Sequence, residues 1–357
     1  MSKKNLIILF GGRSVEHEIS VRSAINVVKY IDLTYFNVSV IGISKKGSWF
    51  LLDHPKQNIE TGNEISLSLS PINPRFEIKS SSASIAIQIV FPILHGTDGE
   101  DGSVQGLIKC INVILIGSNV LGSALSMDKI ISKKLLEHAG IPVVPYMSFT
   151  KGEKISFAKV KKKLGIPFIV KAANLGSSVG ISKVNTSEEF DDALAESFKY
   201  GHEILIESFV NCRELECGIL GNEPLSSTLS GEIILLKNYD FYTYDAKYQD
   251  KSAIRVEIPA QIPTAVHQQI KALCEKAFLT VKCNDFARVD VFLTPENEIF
   301  INEINTIPGF TDDSMFPNLW ENMGISPRKL ISKIIEISEV RWKQEQQYIT
   351  DLKSPNR

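Results

Sequence analysis

Between residues 288 and 309 the chain reads RVDVFLTPENEIFINEINTIPG, which puts a guanidinium, carboxylates and a carboxamide on two adjacent runs rich in Val, Ile and Phe. Residues 286–293 and 298–305 have strand composition, and the T-P-E-N segment at 294–297 carries turn formers, so an antiparallel hairpin is expected. Side chains two apart on a strand share a face, which pairs Arg288 with Asp290 and Glu303 with Asn305. Asp290, Glu303 and Asn305 would then present only oxygen donors to one point, the chemistry of a hard cation such as magnesium. A solvated strand face also collects polar residues. It does not call for three oxygen donors beside an arginine and the following Pro308-Gly309.

Other stretches carry groups that could meet a ligand at that point. Residues 6–10 lead into GGRSVEHEIS, a strand, glycine turn and helix with Glu16, His17 and Glu18 beyond the strand end, where α/β sheets bind ligands. A glycine pair there also serves packing alone. Residues 85–92 empty into LHGTDGEDGSVQG, which lacks the spacing of a calcium loop, and His95 directly before the glycines suggests a loop packed at a site. Lys129 opens a helix after Ser126-Met127-Asp128, a position that is either solvated or waits for an anion. Lys171 interrupts the apolar run FIVKA and precedes NLGSSVG, which reads as a phosphate-covering hairpin and not as a Walker A loop. Glu207 and Glu214 could bracket a nucleotide, or be acids at strand ends.

The elements that must position these groups form an α/β chain. Strands are expected at 38–44, 112–117, 168–172, 180–184, 203–210, 216–221 and 232–237, with 55–84 irregular or peripheral. The helix after Lys129 is expected to bury Ile131, Leu135 and Ala139, Thr186 to Glu189 reads as a capping box, and a long helix carries Val266, Ile270, Leu273, Ala277 and Val281 on one face. The polar, tyrosine-rich segment from residue 238 onward is of the kind that acts as a lid.

At 357 residues, 43% apolar and 22% charged, the composition is that of a soluble globular chain of two or three domains. A net charge of −2 argues against nucleic-acid or membrane-surface partners, and the first apolar run is too short for a signal peptide or membrane span. A cytoplasmic location is expected. Five cysteines without C-x-x-C spacing suggest reduced thiols, not a disulfide framework or zinc site.

In order, GGRSVEHEIS, LHGTDGEDGSVQG, SALSMDK, VKAANLGSSVGISKV, FYTYDAKY and RVDVFL…NEINTIPGFTDDS make the chain resemble the ATP-grasp superfamily and, within it, the D-alanine–D-alanine ligases. The likeness runs from about residue 6 to 337. It implies a Rossmann-like parallel-sheet domain at 1–118, followed by α+β subdomains at 119–210 and 211–345 that sandwich ATP, with a lid loop at 238–260. It implies an ATP-dependent ligase that activates one D-alanine as an acyl phosphate and joins it to a second, for peptidoglycan precursor synthesis, as a homodimer. Two magnesium ions, with manganese as a substitute, would be held by Asp290, Glu303 and Asn305.

By the same resemblance Lys129, Lys171 and Lys247 contact phosphates, and Ser178, Glu207, Phe209 and Glu214 complete the ATP site. Glu16 and His95 hold the first D-alanine, and Ser314 and Met315 the second. Arg288 and the Gly309 amide form the oxyanion site, while Glu16, Ser177 and Tyr248 pin the lid. Tyr248 in A-K-Y looks like the form that accepts D-alanine. Ala172 stands where the family often has proline, and Ser208 where several members have lysine, which puts the base contacts in doubt. D-serine or D-lactate as acceptor is the near alternative. A biotin-carboxylase-like or glutathione-synthetase-like ligase leaves the E-H-E and A-K-Y motifs without a role, and an inactive nucleotide-binding scaffold leaves the Arg288–Asn305 set without one.

Overall fold

Residues 6–10 are apolar without alternation because both faces of their strand are covered. In the computed structural model, which describes residues 3–176, 180–236 and 254–348, Leu6, Ile8 and Phe10 join one core and Ile7 and Leu9 another. This strand, β1 (Lys4–Gly11), pairs in parallel with β2 (Phe36–Ile43) and β7 (Ile89–Ile93), and β7 pairs in parallel with β8 (Ile114–Leu115). Helix α1 (His17–Tyr30) covers one face and α2 (Ser103–Cys110) the other.

The stretch 55–84, expected to be irregular or peripheral, is peripheral and not irregular: it extends this sheet outward. Strands β3 (Trp49–Leu52), β4 (Asn63–Ser68), β5 (Arg75–Ile78) and β6 (Ser84–Ala86) add on antiparallel, giving the order β6-β5-β4-β3-β2-β1-β7-β8. Polar residues scattered along it mark the strands' wet side, while Ile65 and Phe76 are buried. The strand expected at 112–117 is only Ile114–Leu115.

Helices α3 (Val120–Met127) and α4 (Lys129–His138) lead to a four-stranded antiparallel sheet, ordered β11-β10-β12-β9. It contains β9 (Tyr146–Thr150), β10 (Phe168–Ala172), β11 (Ser182–Val184) and β12 (Glu203–Ser208). Helices α5 (Phe157–Leu164) and α6 (Ser187–Ser197) back it with Val160, Leu164, Phe190 and Ala193. The capping box on α6 is present, Thr186 accepting from the Glu189 amide and Glu189 reaching back.

The third sheet runs β16-β15-β13-β17-β18, with β14 (Ser226–Ser227) beside β13. Its strands are β13 (Arg213–Leu220), β15 (Gly231–Leu235), β16 (Ile254–Glu257), β17 (Phe286–Leu293) and β18 (Ile299–Asn305). Residues 254–257, assigned from the sequence to the lid, are therefore strand. Helix α7 (Thr264–Thr280) buries Ile270, Cys274 and Ala277 on one face of this sheet, against Leu215, Cys217, Val289 and Val291. The opposite face is covered at its Leu220–Phe286 end, where α8 (Met315–Asn322) and α9 (Pro327–Glu345) join the N-terminal core through Phe316, Trp320, Leu330 and Ile334. Further along that face stand the polar residues of the site.

Candidate active site

Strands β17 and β18 pair antiparallel as the hairpin reading requires, with Arg288 opposite Asn305 and Asp290 opposite Glu303. A register shift follows Asp290, so that Val291 faces Ile301 and Asn302 is the extra residue. This bulge reverses the alternation. Ile301 enters the core while Glu303, two positions on, stays on the polar face. Asp290 is tied from two directions: Arg288 Nε and Nη2 donate to its two oxygens, each at 2.7 Å, and Asn305 Nδ2 donates to Oδ2 at 3.0 Å. Arg288 is buried between Asp290 and Glu216; desolvation alone would lower its pKa, yet the two carboxylates hold it well above the usual guanidinium range.

A cavity of about 330 Å³ lies between the central and C-terminal sheets. Lys129, Lys171, Glu207, Phe209, Glu214, Asp290 and Glu303, each expected at the nucleotide or cation, all line it. Lys171 pairs with Glu207 from the neighbouring strand, and Lys133 pairs with the other Glu207 oxygen at 2.6 Å. Burial alone would raise the Glu207 pKa, but the two ammonium groups pull it down to about 2. Glu207 is therefore a carboxylate at any physiological pH, an acceptor facing the cavity. Lys183 sits 4.4 Å from the centre of the Phe209 ring. Lys129 donates to the Leu175 carbonyl at 2.8 Å and lies 3.4 Å from Glu303. The Ser208 hydroxyl is engaged by the Leu164 carbonyl at 2.9 Å.

Glu303 also borders two smaller clefts that adjoin this cavity. One is bordered by Glu16, Glu100, Lys129 and Asn305, the other by Glu16, His95, Arg288 and Gly309. Glu16 precedes α1 and is brought against Gly96, whose φ of 77° suits glycine and whose added Cβ would stand 2.9 Å from the Glu16 carboxylate. His95 donates from Nδ1 to the Ile307 carbonyl at 2.9 Å, so Nε2 accepts from Ser23 at 3.1 Å. Burial lowers its pKa, which keeps the ring neutral in this arrangement. Ser314 accepts from the Thr311 amide at 2.9 Å and lies so close to Gly309 that a Cβ there would be 2.8 Å from its hydroxyl. The Met315 side chain is buried with Ile233 and Leu319, leaving its backbone at the start of α8. Ser177, Ser178, Lys247 and Tyr248 lie outside the described residues.

Three site residues escape the sequence reading: Lys133, Glu100 and Glu216. On α4 the buried face is Ile130, Lys133 and Leu136, not Ile131, Leu135 and Ala139, because Lys133 turns inward to Glu207. Glu100 accepts from the Gly96 and Ile307 amides, and burial beside Glu16 pushes its pKa up to about 8. A charged residue flanked by core positions is the available signal for Lys133 and Glu216. For Glu100 it is only one of several acids in the loop.

The cation set fits a hard ion by its donor chemistry: two carboxylates and one carboxamide, with Lys129 and Arg288 supplying adjacent positive charge. Among the described residues no group of three or more His, Cys, Asp or Glu could hold a metal alone, so remaining ligands would come from water or phosphate oxygens. The five cysteines are free thiols.

A parallel N-terminal sheet followed by two antiparallel sheets that enclose a cavity lined by lysines and acids defines an ATP-grasp enzyme. Residues 5–118 match the family described as D-ala D-ala ligase N-terminus, and residues 135–336 its C-terminus. The chain is 43% identical to the D-alanine–D-alanine ligase of Shouchella clausii, over 97% of this chain and 98% of the relative. It is 41% identical to ligase A of Escherichia coli K12, over 95% and 96%. Among solved structures, the D-alanine–D-alanine ligase of Coxiella burnetii superposes with a TM-score of 0.86 at 34% identity, covering 97% of this chain and 98% of that one. A D-Ala:D-Ser ligase from Enterococcus faecalis gives a TM-score of 0.86 at 31% identity, covering 94% and 100%. The chain belongs to the D-alanine–D-alanine ligase family.

Proposed function

We infer that this chain joins two D-alanines into D-alanyl-D-alanine at the expense of ATP. The observation that carries the reading is the position of Glu303, which borders the large cavity and both clefts, so that phosphate, cation and amino-acid groups can meet around it. The first D-alanine is placed with its ammonium at Glu16 and its carboxylate toward Arg288. Its carboxylate oxygen attacks the γ-phosphorus of ATP, ADP leaves, and the acyl phosphate forms. The amine of the second D-alanine, seated by Ser314 and the backbone at Met315, then adds to the acyl carbon. Arg288 and the Gly309 amide stabilise the oxyanion, and collapse expels phosphate as the amine gives up its proton.

Lys129 and Lys171 offset the phosphate charge, Glu207 accepts from the amino group of the base, Phe209 flanks the ring, and Glu214 takes the ribose. Asp290, Glu303 and Asn305 would hold magnesium, or manganese in its place, in a pair of sites, supplying Lewis-acid and templating chemistry when bound. His95 is already engaged on both ring nitrogens, so its part is to fix the 307–310 loop beside Glu16. We assign the three units as 1–118, 119–210 and 211–345, with Ser177, Ser178, Lys247 and Tyr248 completing the cover over ATP and the acyl phosphate. We further propose a cytoplasmic homodimer serving cell-wall precursor synthesis. No helix among the described residues is long and apolar enough to cross a membrane.

The likeness to a D-Ala:D-Ser ligase makes the acceptor the point to test. With ATP and magnesium, phosphate release and product identity are measured side by side for D-alanine alone and for D-alanine mixed with D-serine or D-lactate. D-alanyl-D-alanine should dominate. A mixed product in excess would replace the acceptor assignment, and no release with any substrate would favour an inactive nucleotide-binding scaffold.

A further inference from the structure

Arg288 is held by a second carboxylate that the proposed mechanism does not use. Glu216 stands directly opposite Asp290 in the pairing of β13 with β17. It is 5% exposed, and its Oε2 lies 2.8 Å from Arg288 Nε. On the other side Asp290 takes Nε and Nη2 of the same guanidinium, while its Oδ2 is shared with Asn305. The neighbours of Glu216 on its strand, Leu215 and Cys217, are core residues of the opposite face. A buried carboxylate in such a strand is costly unless it is paired.

On the ligase reading Asp290 belongs to the cation set, and its two oxygens cannot serve a divalent cation and Arg288 at full strength together. An arginine released on that side would be drawn toward the phosphates and away from the acyl carbon. We propose that Glu216 is a positioning residue, which keeps the Arg288 guanidinium at the acyl-transfer centre when Asp290 turns to the cation. The proposal rests on the ligase reading. Because Glu216 also borders the nucleotide cavity, direct ligation of the cation is the competing role.

The test is Glu216→Gln in the full chain, which keeps the shape and removes the charge. With saturating ATP, magnesium and D-alanine, kcat should fall about tenfold while KM for ATP stays within about twofold, the loss expected when a catalytic group is misplaced and nucleotide binding is not. Manganese affinity with a non-hydrolysable ATP analogue, read by electron paramagnetic resonance, should stay within about threefold, short of the 10- to 100-fold loss typical of a disturbed metal site. In an Arg288→Lys background the same substitution should cost less than about threefold, because a residue that acts through another is not additive with it. If Glu216→Gln does not fold, Glu216→Asp, which keeps the charge on a shorter arm, is carried through the same measurements with the same expectations.

An unchanged kcat, a metal affinity lost tenfold or more, or an undiminished loss in the Arg288→Lys background would each overturn the proposal. Wild-type chain that makes no dipeptide at all overturns the ligase reading and the proposal with it. That outcome is distinct from one confined to the variant.

Discussion

Glu207 owes its charge to two buried ammonium groups, Lys133 and Lys171, which both pair with it. Glu207→Gln leaves both without a counter-ion, and should cost about 3–5 kcal/mol in denaturant unfolding at pH 7. The sign with pH follows from the folded-state pKa of about 2, below the unfolded carboxylate. Its contribution is present above the unfolded value and is lost as pH falls through the folded one. Wild-type stability should therefore decline on acidification toward pH 2, and the Glu207→Gln variant should decline less steeply over the same window. Glu303 stands in the opposite situation, serving chemistry more than the fold. Glu303→Gln should lower kcat about 100-fold or more, given its place among the proposed cation ligands. Its thermal midpoint should remain near wild type; unaltered turnover would remove Glu303 from the cation set.

At the level of elements, the hairpin that carries Arg288, Asp290, Glu303 and Asn305 was legible because period-2 patterning and turn residues need no distant partner to be recognised. The bulge at Asn302 was not, since an extra residue in a strand leaves no mark until the partner strand's register is known. Helix α4 misled for a related reason. Periodicity assigns Lys to the wet face, whereas Lys133 is buried through an ion pair with a residue more than seventy positions away. Strands β4 to β6 were not read as strands because short strands with one wet face, on the outer part of a sheet, look like loops. The bulge itself is open to test. Deleting Asn302 restores regular pairing and makes Ile301 and Glu303 neighbours, which regular alternation sends to opposite faces, the core and the polar side where they already point. The deletion, like Asn302→Ala, which keeps the bulge, should therefore retain dipeptide formation within about tenfold. Loss of dipeptide formation in the deletion alone would show that the bulge aims Glu303 by more than the face it selects.

Across the whole molecule, the residues proposed for the two ligands come from different parts of the fold. The nucleotide cavity is lined from the central and C-terminal sheets, while Glu16 and His95 reach the clefts from the N-terminal sheet. Something must hold that sheet in register with the catalytic hairpin, and the last helix does so. Helix α9 lays Leu330, Ile331, Ile334 and Ile335 on the core that contains β1, and its Arg341 donates to the Leu115 and Gly117 carbonyls at the end of the N-terminal sheet. The same guanidinium donates to both oxygens of Asp285 at 2.9 Å, immediately before β17 begins. Asp285 is fully buried and also accepts from the Gly117 amide and from Ser338. Arg341→Met would strand that carboxylate, at a cost of about 3–5 kcal/mol. In the protein that remains folded, KM for D-alanine should rise more than KM for ATP, because only the amino-acid clefts span the loosened junction. Equal changes in both constants, or none, would mean that the packing of α9 alone holds the two parts together and that Arg341 adds only stability.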